Sequence, residues 1–361
     1  MALELGQRTW KVAFGDGLGG KPRLRTMSGG DVGHLGREIA QARKHFGLPD
    51  DVPVLSCYEA GRDGFWLHRC LLEQGVANVV VDSSSIEVNR RRRRAKNDRL
   101  DAGRLLAMRI RHAAGERTLW SVVNAPSVAD EDARHLHREL STLKSDRTRH
   151  INRIKGLLAT CGLSVSSIDR LPQRLGELKL WDGSPVRGQL HQRLQREHER
   201  LELVEQHIRQ LERQRAVLVR QGTAPALAMV RKLQRLRAIG PNGAWLTVME
   251  LFAWRQIRNR RQLGALSGLA PTPFQSGDDD REQGISKAGN RRVRTMMVEL
   301  AWCWLRFQPA SELSLWFMRR FALGSRRMRR IGIVALARKL LVQLWRYLET
   351  GTLPAGAMLK T

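Results

Sequence analysis

The sequence predicts an α/β part followed by an all-α remainder, and three observations carry that prediction. Short β-rich segments alternate with helical ones up to about residue 125, helical periodicity dominates beyond it, and residues 189–221 carry a seven-residue apolar repeat. Alternating strands and helices bury a sheet between helical layers, whereas long helical periodicity buries one helix stripe against another.

The elements follow in order. "TWKVAF" (9–14) reads as a strand, "GDGLGG" (15–20) as a turn and "KPRLRTM" (21–27) as the return strand. A helix is expected over about 31–46, a buried strand in "VPVLSCYEAG" (52–61), a helix near 63–75 and a further strand in "ANVVVDS" (77–83). Polar residues at the strand ends place a site at one edge of the sheet. In 189–221, Leu194, Leu201 and Ile208 recur every seven residues and interleave with Val204, Leu211 and Leu218. That is a coiled-coil seam, broken by the polar Glu197 and Arg215. "WDGSPVRGQ" (181–189) and "GTAPA" (222–226) punctuate its two ends. "LRAIGPNGAW" (236–245) is a turn between helices, and "APTPFQSGDDDREQG" (270–284) is expected as a loop. The final stretch, 326–351, is an amphipathic helix with Ile331, Val334, Leu341, Leu344, Trp345 and Leu348 facing inward. The domains are therefore set at 1–125, 126–222 and 223–361.

The charge points to the partner. Lys and Arg number 63 against 35 Asp and Glu, a formal net charge of +28 over 361 residues. Such a surplus attracts polyanions, and neutralising phosphates releases counterions. No apolar run approaches the roughly 20 residues of a membrane span, and the start carries no secretory pattern. Nucleic acid in the bacterial cytoplasm, at the nucleoid, is the expected setting, with no membrane partner. Four cysteines without CxxC spacing argue for reduced thiols rather than a zinc site or disulfide framework.

One segment, "NRRRRRAKNDRLDAGRLL" (89–106), sets five arginines before two aspartates. On a helix Asp98 and Asp101 share a face, and carboxylates side by side need a cation between them. Glu59 ends a buried strand and Glu4 lies in the strand-like "ALELG". Together the four could hold one or two Mg²⁺ ions beside a phosphodiester, while Arg90, Arg91, Arg92, Arg93, Arg94 and Lys96 grip the backbone. Taken singly, each has an ordinary reading: a solvated salt-bridging face for the aspartates and a surface position for each glutamate. His135 and His137 are two apart, which puts them on different sides of a helix rather than at one metal. Gly240 and Pro241 suit a plain interhelix turn as well as half of a phosphate-binding hairpin.

The segments "CYEAGRDGFWLHRCL" (57–71), "VDSSSIEVNRRRRRAKNDRLDAGRLL" (81–106) and "AIGPNGAWLTVMEL" (238–251), with "GLAPTPFQSG" (268–277) and "GISKAGNRRVRTMM" (284–297), appear in that order. They resemble the insertion-sequence 110 family of DEDD transposases over most of the chain. The resemblance implies a RuvC-like RNase H fold domain, a helical coiled-coil region and a mostly helical C-terminal transposase domain. It implies Mg²⁺ held by Glu59 in "YEAG" and by Asp98 and Asp101 in "KNDRLDA". Glu4 stands nearest to the family's first acid, a glutamate where aspartate is usual, with Asp16 a weaker alternative. It also implies a serine nucleophile, Ser276 in "PTPFQSG"; without the resemblance, Ser276 reads as an ordinary loop serine. Lys287, Asn290, Arg291, Arg292 and Arg294 follow as a basic block for nucleic acid. The implied activity is strand cutting and transfer on donor and target DNA by a homo-oligomer, dimer or tetramer. A structured non-coding bridge RNA would supply the guide. A junction-resolving nuclease of the same class without a covalent step, and a nucleic-acid-binding protein without chemistry, are the competing readings.

Overall fold

The computed structural model describes residues 1–17, 19–61, 64–86, 98–276 and 279–360; within these, the side chains of Ser84, 98–100 and 273–283 are outside the description. The chain divides into two units, Met1–Pro126 and Ser127–Thr361.

The first unit is built on β1 (Ala2–Leu5), β2 (Thr9–Phe14), β3 (Arg23–Ser28), β4 (Leu55–Glu59) and β5 (Ala77–Val81). They form one sheet in the order β3-β2-β1-β4-β5. The first three strands are antiparallel neighbours, and β4 and β5 continue parallel to β1. Parallel neighbours need crossovers, and the helices supply them: α1 (Val32–His45) leads to β4 and α2 (Trp66–Glu73) to β5. The Asp31 carboxylate caps α1 by accepting from the His34 amide, and Arg43, Lys44 and His45 sit in its last turn, where the helix dipole favours cations. Alternation along the strands divides the core by face. Leu3, Val12, Tyr58 and Val80 pack in one layer with residues of α1 and α2. Ala2, Ala13 and Cys57 pack in the other with Ala102, Leu105 and Leu106 of α3 (Asp98–Ala113). Burial pushes the Cys57 thiol up to about 12, so it behaves as a small apolar side chain.

The second unit opens with a helical turn, α4 (Val128–Asp132), and the long α5 (His135–Ala159). A short helix, α6 (Leu171–Arg174), precedes α7 (Gly188–Gln221). The heptad seam lies in α7: Leu194, Leu201 and Ile208 are buried, together with the polar Glu197 and Arg215. Its partner is α5 of the same chain. Lys144 pairs with Glu212 while His150 and Arg153 pair with Glu197, so the two helices run antiparallel. Leu194 and Leu201 are thus taken up inside the chain, whereas Leu218, expected in the same seam, is exposed, and the oligomeric state is left open. Burial opposes ionisation of Glu197, but donors from His150, Arg153 and Arg200 hold its carboxyl below the usual range.

Beyond α7 come α8 (Pro225–Gln234), α9 (Pro241–Thr247), a π-helical turn at Val248–Phe252, and α10 (Arg260–Ser267). The "GPNG" segment is the expected interhelix turn, with Gly240 as the N-cap of α9 and Asn242 accepting from Arg215. The stretch expected as a loop is instead an antiparallel ribbon, β6 (Pro271–Ser276) and β7 (Asp279–Ile285), with an irregularity between Pro271 and Pro273. Its prolines and polar run lack the apolar alternation that announces a strand, which is why the sequence concealed it. Three helices close the unit: α11 (Arg291–Phe307), α12 (Glu312–Phe321) and α13 (Arg326–Thr350). Their core includes Trp304, Met297, Leu336, Leu340 and Leu344. On α13 the buried side is Ile333, Leu336, Ala337, Leu340, Leu341, Leu344 and Tyr347, whereas Ile331, expected inside, is 46% exposed. The four cysteines are free thiols. Among the described residues no helix is long and apolar enough to cross a membrane.

Gly332 shows how tightly α13 is seated, because a Cβ there would stand 2.5 Å from the Phe321 ring. Gly to Ala inside a helix normally stabilises by about 1 kcal/mol. Gly332→Ala is expected to reverse that sign and cost about 1–3 kcal/mol through overpacking. Gly156→Ala, on α5 with nothing within 4 Å of the added carbon, is expected to stabilise by about 0.5–1 kcal/mol. Urea unfolding of the two variants checks the pair, and equal signs would contradict this account of α13.

Candidate active site

In the first unit, backbone register decides which acids can meet. Parallel pairing sets Ala2 beside Cys57 and Leu3 beside Tyr58, so the next step brings Glu4 level with Glu59. Glu4 also faces Lys11 across β2, Lys11 faces Thr26, and Glu59 faces Val81. One row therefore crosses the sheet through Val81, Glu59, Glu4, Lys11 and Thr26. By alternation it points to the face of Ala2 and Cys57, the face that α3 covers. The Lys11 ammonium donates to the Thr26 hydroxyl at 2.9 Å, putting a cation in the same row as the two glutamates. Sequence reading passed over Lys11, which looks like any surface lysine on a strand.

The helix runs opposite to β1 and β4. The Cys57 thiol reaches the Leu105 carbonyl at 3.8 Å, and Arg109 Nε donates to the Ser56 carbonyl at 3.2 Å, so rising helix numbers meet falling strand numbers. Asp101 lies one turn before Leu105, about 5.4 Å along the axis, and Glu59 lies two residues past Cys57, about 6.6 Å along the strand. The start of α3, with Asp98 and Asp101, accordingly belongs to the same end of the sheet as Glu4 and Glu59. Asp101 is half-exposed, and the side chain of Asp98 is outside the description. Carboxylate oxygens are the donors that Mg²⁺ takes. Among the described residues, however, no group of three or more His, Cys, Asp or Glu side chains forms a metal-holding set. Asp16, by contrast, follows the end of β2, which pairs with the beginning of β1. It lines a cavity with Met1, Phe14 and Leu55 at the opposite end of the sheet and cannot join the acids. Arg90–Arg94 and Lys96 lie outside the described residues.

In the second unit Ser276 is the last residue of β6 and pairs with Asp279 across the ribbon. The chain leaving β7 is pinned to the end of α10. Ser286 donates to the Ala270 carbonyl, Lys287 to that of Gly268 and Asn290 to that of Leu266. Gly289 takes φ 122°, and a Cβ there would meet the Ala265 and Leu266 carbonyl oxygens at 2.6 Å, so glycine is required. The basic block then divides by role. Lys287, Arg291 and Arg292 are exposed. Asn290 caps α11 by accepting from the Arg292 and Val293 amides, and Arg294 donates to the Lys287 carbonyl.

Behind that cap sits a residue the sequence reading missed. Glu250 lies in the π-helical turn and is 1% exposed. His137 Nε2 donates to it at 2.8 Å, Arg138 grips it with Nε at 2.8 Å and Nη2 at 3.1 Å, and Asn290 Nδ2 donates at 3.0 Å. Burial works against its charge, yet these hydrogen bonds and the Arg138 charge hold the carboxyl far below the usual range. A lone acid inside the apolar run "WLTVMELF" was the available signal, since a buried charge demands partners.

The chain is similar to known proteins. A model of the family described as "Transposase IS116/IS110/IS902 family" matches residues 230–314, which include Glu250, Ser276 and the basic block. "Putative transposase y4rJ" of Sinorhizobium fredii is 39% identical over 377 residues, covering 100% of this chain and 94% of that protein. The transposase for insertion sequence element IS1111A of Coxiella burnetii is 31% identical over 258 residues, 69% of this chain and 66% of that one.

A depressed carboxylate contributes stability that is present above its unfolded value, near 4.5, and is lost as pH falls below it. Glu250→Ala leaves Arg138 and His137 without their acceptor and is expected to cost about 3 kcal/mol at pH 7. Its stability should also vary less than the wild type's between pH 5 and pH 3. Thermal unfolding across that range checks both effects.

Proposed function

The chain belongs to the IS116/IS110/IS902 family of transposases, and we propose that it cuts and rejoins DNA as the site-specific recombinase of an insertion sequence. The observation that carries this reading is the shared address of Glu4, Glu59, Asp98 and Asp101, at one end of the central strands and the start of α3. The strand order β3-β2-β1-β4-β5 supports taking the first unit as a RuvC-like RNase H fold domain. The four acids would be the donors for Mg²⁺, which would neutralise phosphate charge and sharpen the electrophile.

Ser276 is the proposed nucleophile. Its Oγ forms a bond to a DNA phosphorus as the bond from that phosphorus to one sugar oxygen breaks. The serine proton passes to solvent or a nearby base, and the departing oxygen takes one up. The resulting protein–DNA ester conserves the energy of the phosphodiester, so a second strand's hydroxyl can displace the serine and rejoin. Lys287, Arg291 and Arg292, exposed at the start of α11, suit backbone phosphates, which fix position without reading sequence. Sequence choice then falls to a partner, and a structured guide RNA paired with donor and target DNA is the reading we adopt. Assembly as a homo-oligomer would supply more than one serine.

Recombination between element ends and target, scored in cells, tests the assignment. Ser276→Ala is expected to abolish both recombination and any protein–DNA adduct surviving denaturation. Asp101→Asn and Glu59→Gln are each expected to lower recombination at least a hundredfold while DNA binding persists. Full recombination by Ser276→Ala rules out the covalent step, and cleavage that survives it while needing the acids would favour a resolving nuclease.

A further inference from the structure

The second unit holds a groove of about 780 Å³ that none of the site residues above occupies. Its long wall is one side of α13, where Arg327, Arg330, Arg338, Lys339 and Arg346 alternate with Ile331, Val334 and Val342. The facing wall adds Arg260 and Arg261 of α10. Its far end is the foot of the β6–β7 ribbon, at Pro271, Gly284 and Ile285.

Two properties of this groove call for an occupant. Seven cations converge on it, and among the described residues no Asp or Glu lines it and no carboxylate pairs with any of the seven. Like charges so close repel one another, and a bound polyanion relieves that cost. The second property is apolar. On the groove side of α13, Ile331 is 46% exposed, beside Val334 and Val342, which are only partly buried against the core. An apolar strip left partly open among so many cations suits a ligand that is both anionic and apolar.

We infer that this groove holds an unpaired DNA strand, phosphates on the arginines and base faces on the apolar floor. A duplex would offer phosphates alone and leave the floor wet, whereas unstacked bases present flat apolar surface to aliphatic side chains and guanidinium planes. From Arg327 to Arg346 the helix rises about 28 Å. An unstacked strand spaces its phosphates more widely than the roughly 3.4 Å of a stacked one, so that length serves at most about eight nucleotides. The foot of the ribbon directs the strand towards the hairpin that carries Ser276. The choice of DNA rests on the strand-cutting role proposed for Ser276, while the groove and its preference for an unpaired strand stand without it.

Fluorescence anisotropy with full-length protein in EDTA tests this without any chemistry. The probes are a 20-nucleotide single-stranded DNA, its duplex and the RNA of the same sequence, each titrated over a range of salt. The triple variant Arg330→Gln, Arg338→Gln, Arg346→Gln is expected to weaken single-stranded DNA binding at least tenfold. It should also lower the salt slope by about 2, at roughly 0.7 per lost phosphate contact. Ile331→Asn is expected to weaken the single strand several-fold with the slope unchanged and the duplex unaffected. Photo-crosslinking of wild-type protein to a 4-thiothymidine strand should label peptides from 326–350 and 260–285, which covers the case of a variant that fails to fold. The inference is overturned by single-strand binding within twofold of wild type in the triple variant, by crosslinks elsewhere only, or by equal loss for the duplex. It is overturned equally if the RNA alone responds, or if polyglutamate or phosphatidylserine vesicles compete as well as the DNA. Normal recombination by Ser276→Ala together with tenfold weaker DNA binding by the triple variant would sink the serine mechanism and leave the groove intact.

Discussion

Three small side chains, Ala2, Ala13 and Cys57, let α3 lie directly on the central strands, and the acidic edge depends on that seat. A larger residue at any of them would lift the helix and break the correspondence between Asp101 and the end of β4. Arg109 fastens the other end of α3 through the Ser56 carbonyl, so the helix is fixed along its axis as well as in height. Position along the strands is what puts Glu4, Glu59 and the start of α3 at one end of the sheet.

A chain with 63 basic residues has to use its 35 acids with care. Several of them face inward. Glu38 takes Arg23, Arg25 and His34; Glu197 takes His150, Arg153 and Arg200; Glu250 takes His137, Arg138 and Asn290. Each is a carboxylate withdrawn from water and met by several donors, an arrangement that is stable only when complete. The consequence for the surface is direct. Acids bound up as internal fasteners cannot neutralise the outer arginines, so the positive field survives where a polyanion would meet it.

The first unit was the more legible in the sequence. Strands such as "TWKVAF" and "ANVVVDS" announce themselves by β-branched and aromatic content between Gly-rich turns, and they were found within two residues of the observed bounds. The heptads of α7 were equally plain, but periodicity shows that a stripe will be covered and not which helix covers it; α5 does so. The β6–β7 ribbon was missed because its strands are proline-bearing and polar, without the apolar alternation that announces a strand. Glu250 was missed because a buried charge is defined by partners as distant as His137, 113 residues away in the chain. The family motif drew attention to "GNRRVR" as a set of phosphate-binding side chains, whereas two of its members, Asn290 and Arg294, are engaged in shaping the turn.

That division of labour links the buried network to the surface. Asn290 holds the first turn of α11 with its carbonyl oxygen and holds Glu250 with its amide nitrogen, so the direction in which Arg291 and Arg292 leave the helix start is set from inside the core. Gly289 and Lys287, both at positive φ, make the sharp approach that brings the chain back from the ribbon to this cap. The loop therefore has little freedom between β7 and α11, and the foot of the ribbon is anchored by the same hydrogen bonds to α10. The strand that ends at Ser276 is therefore held at its foot from the side of α10.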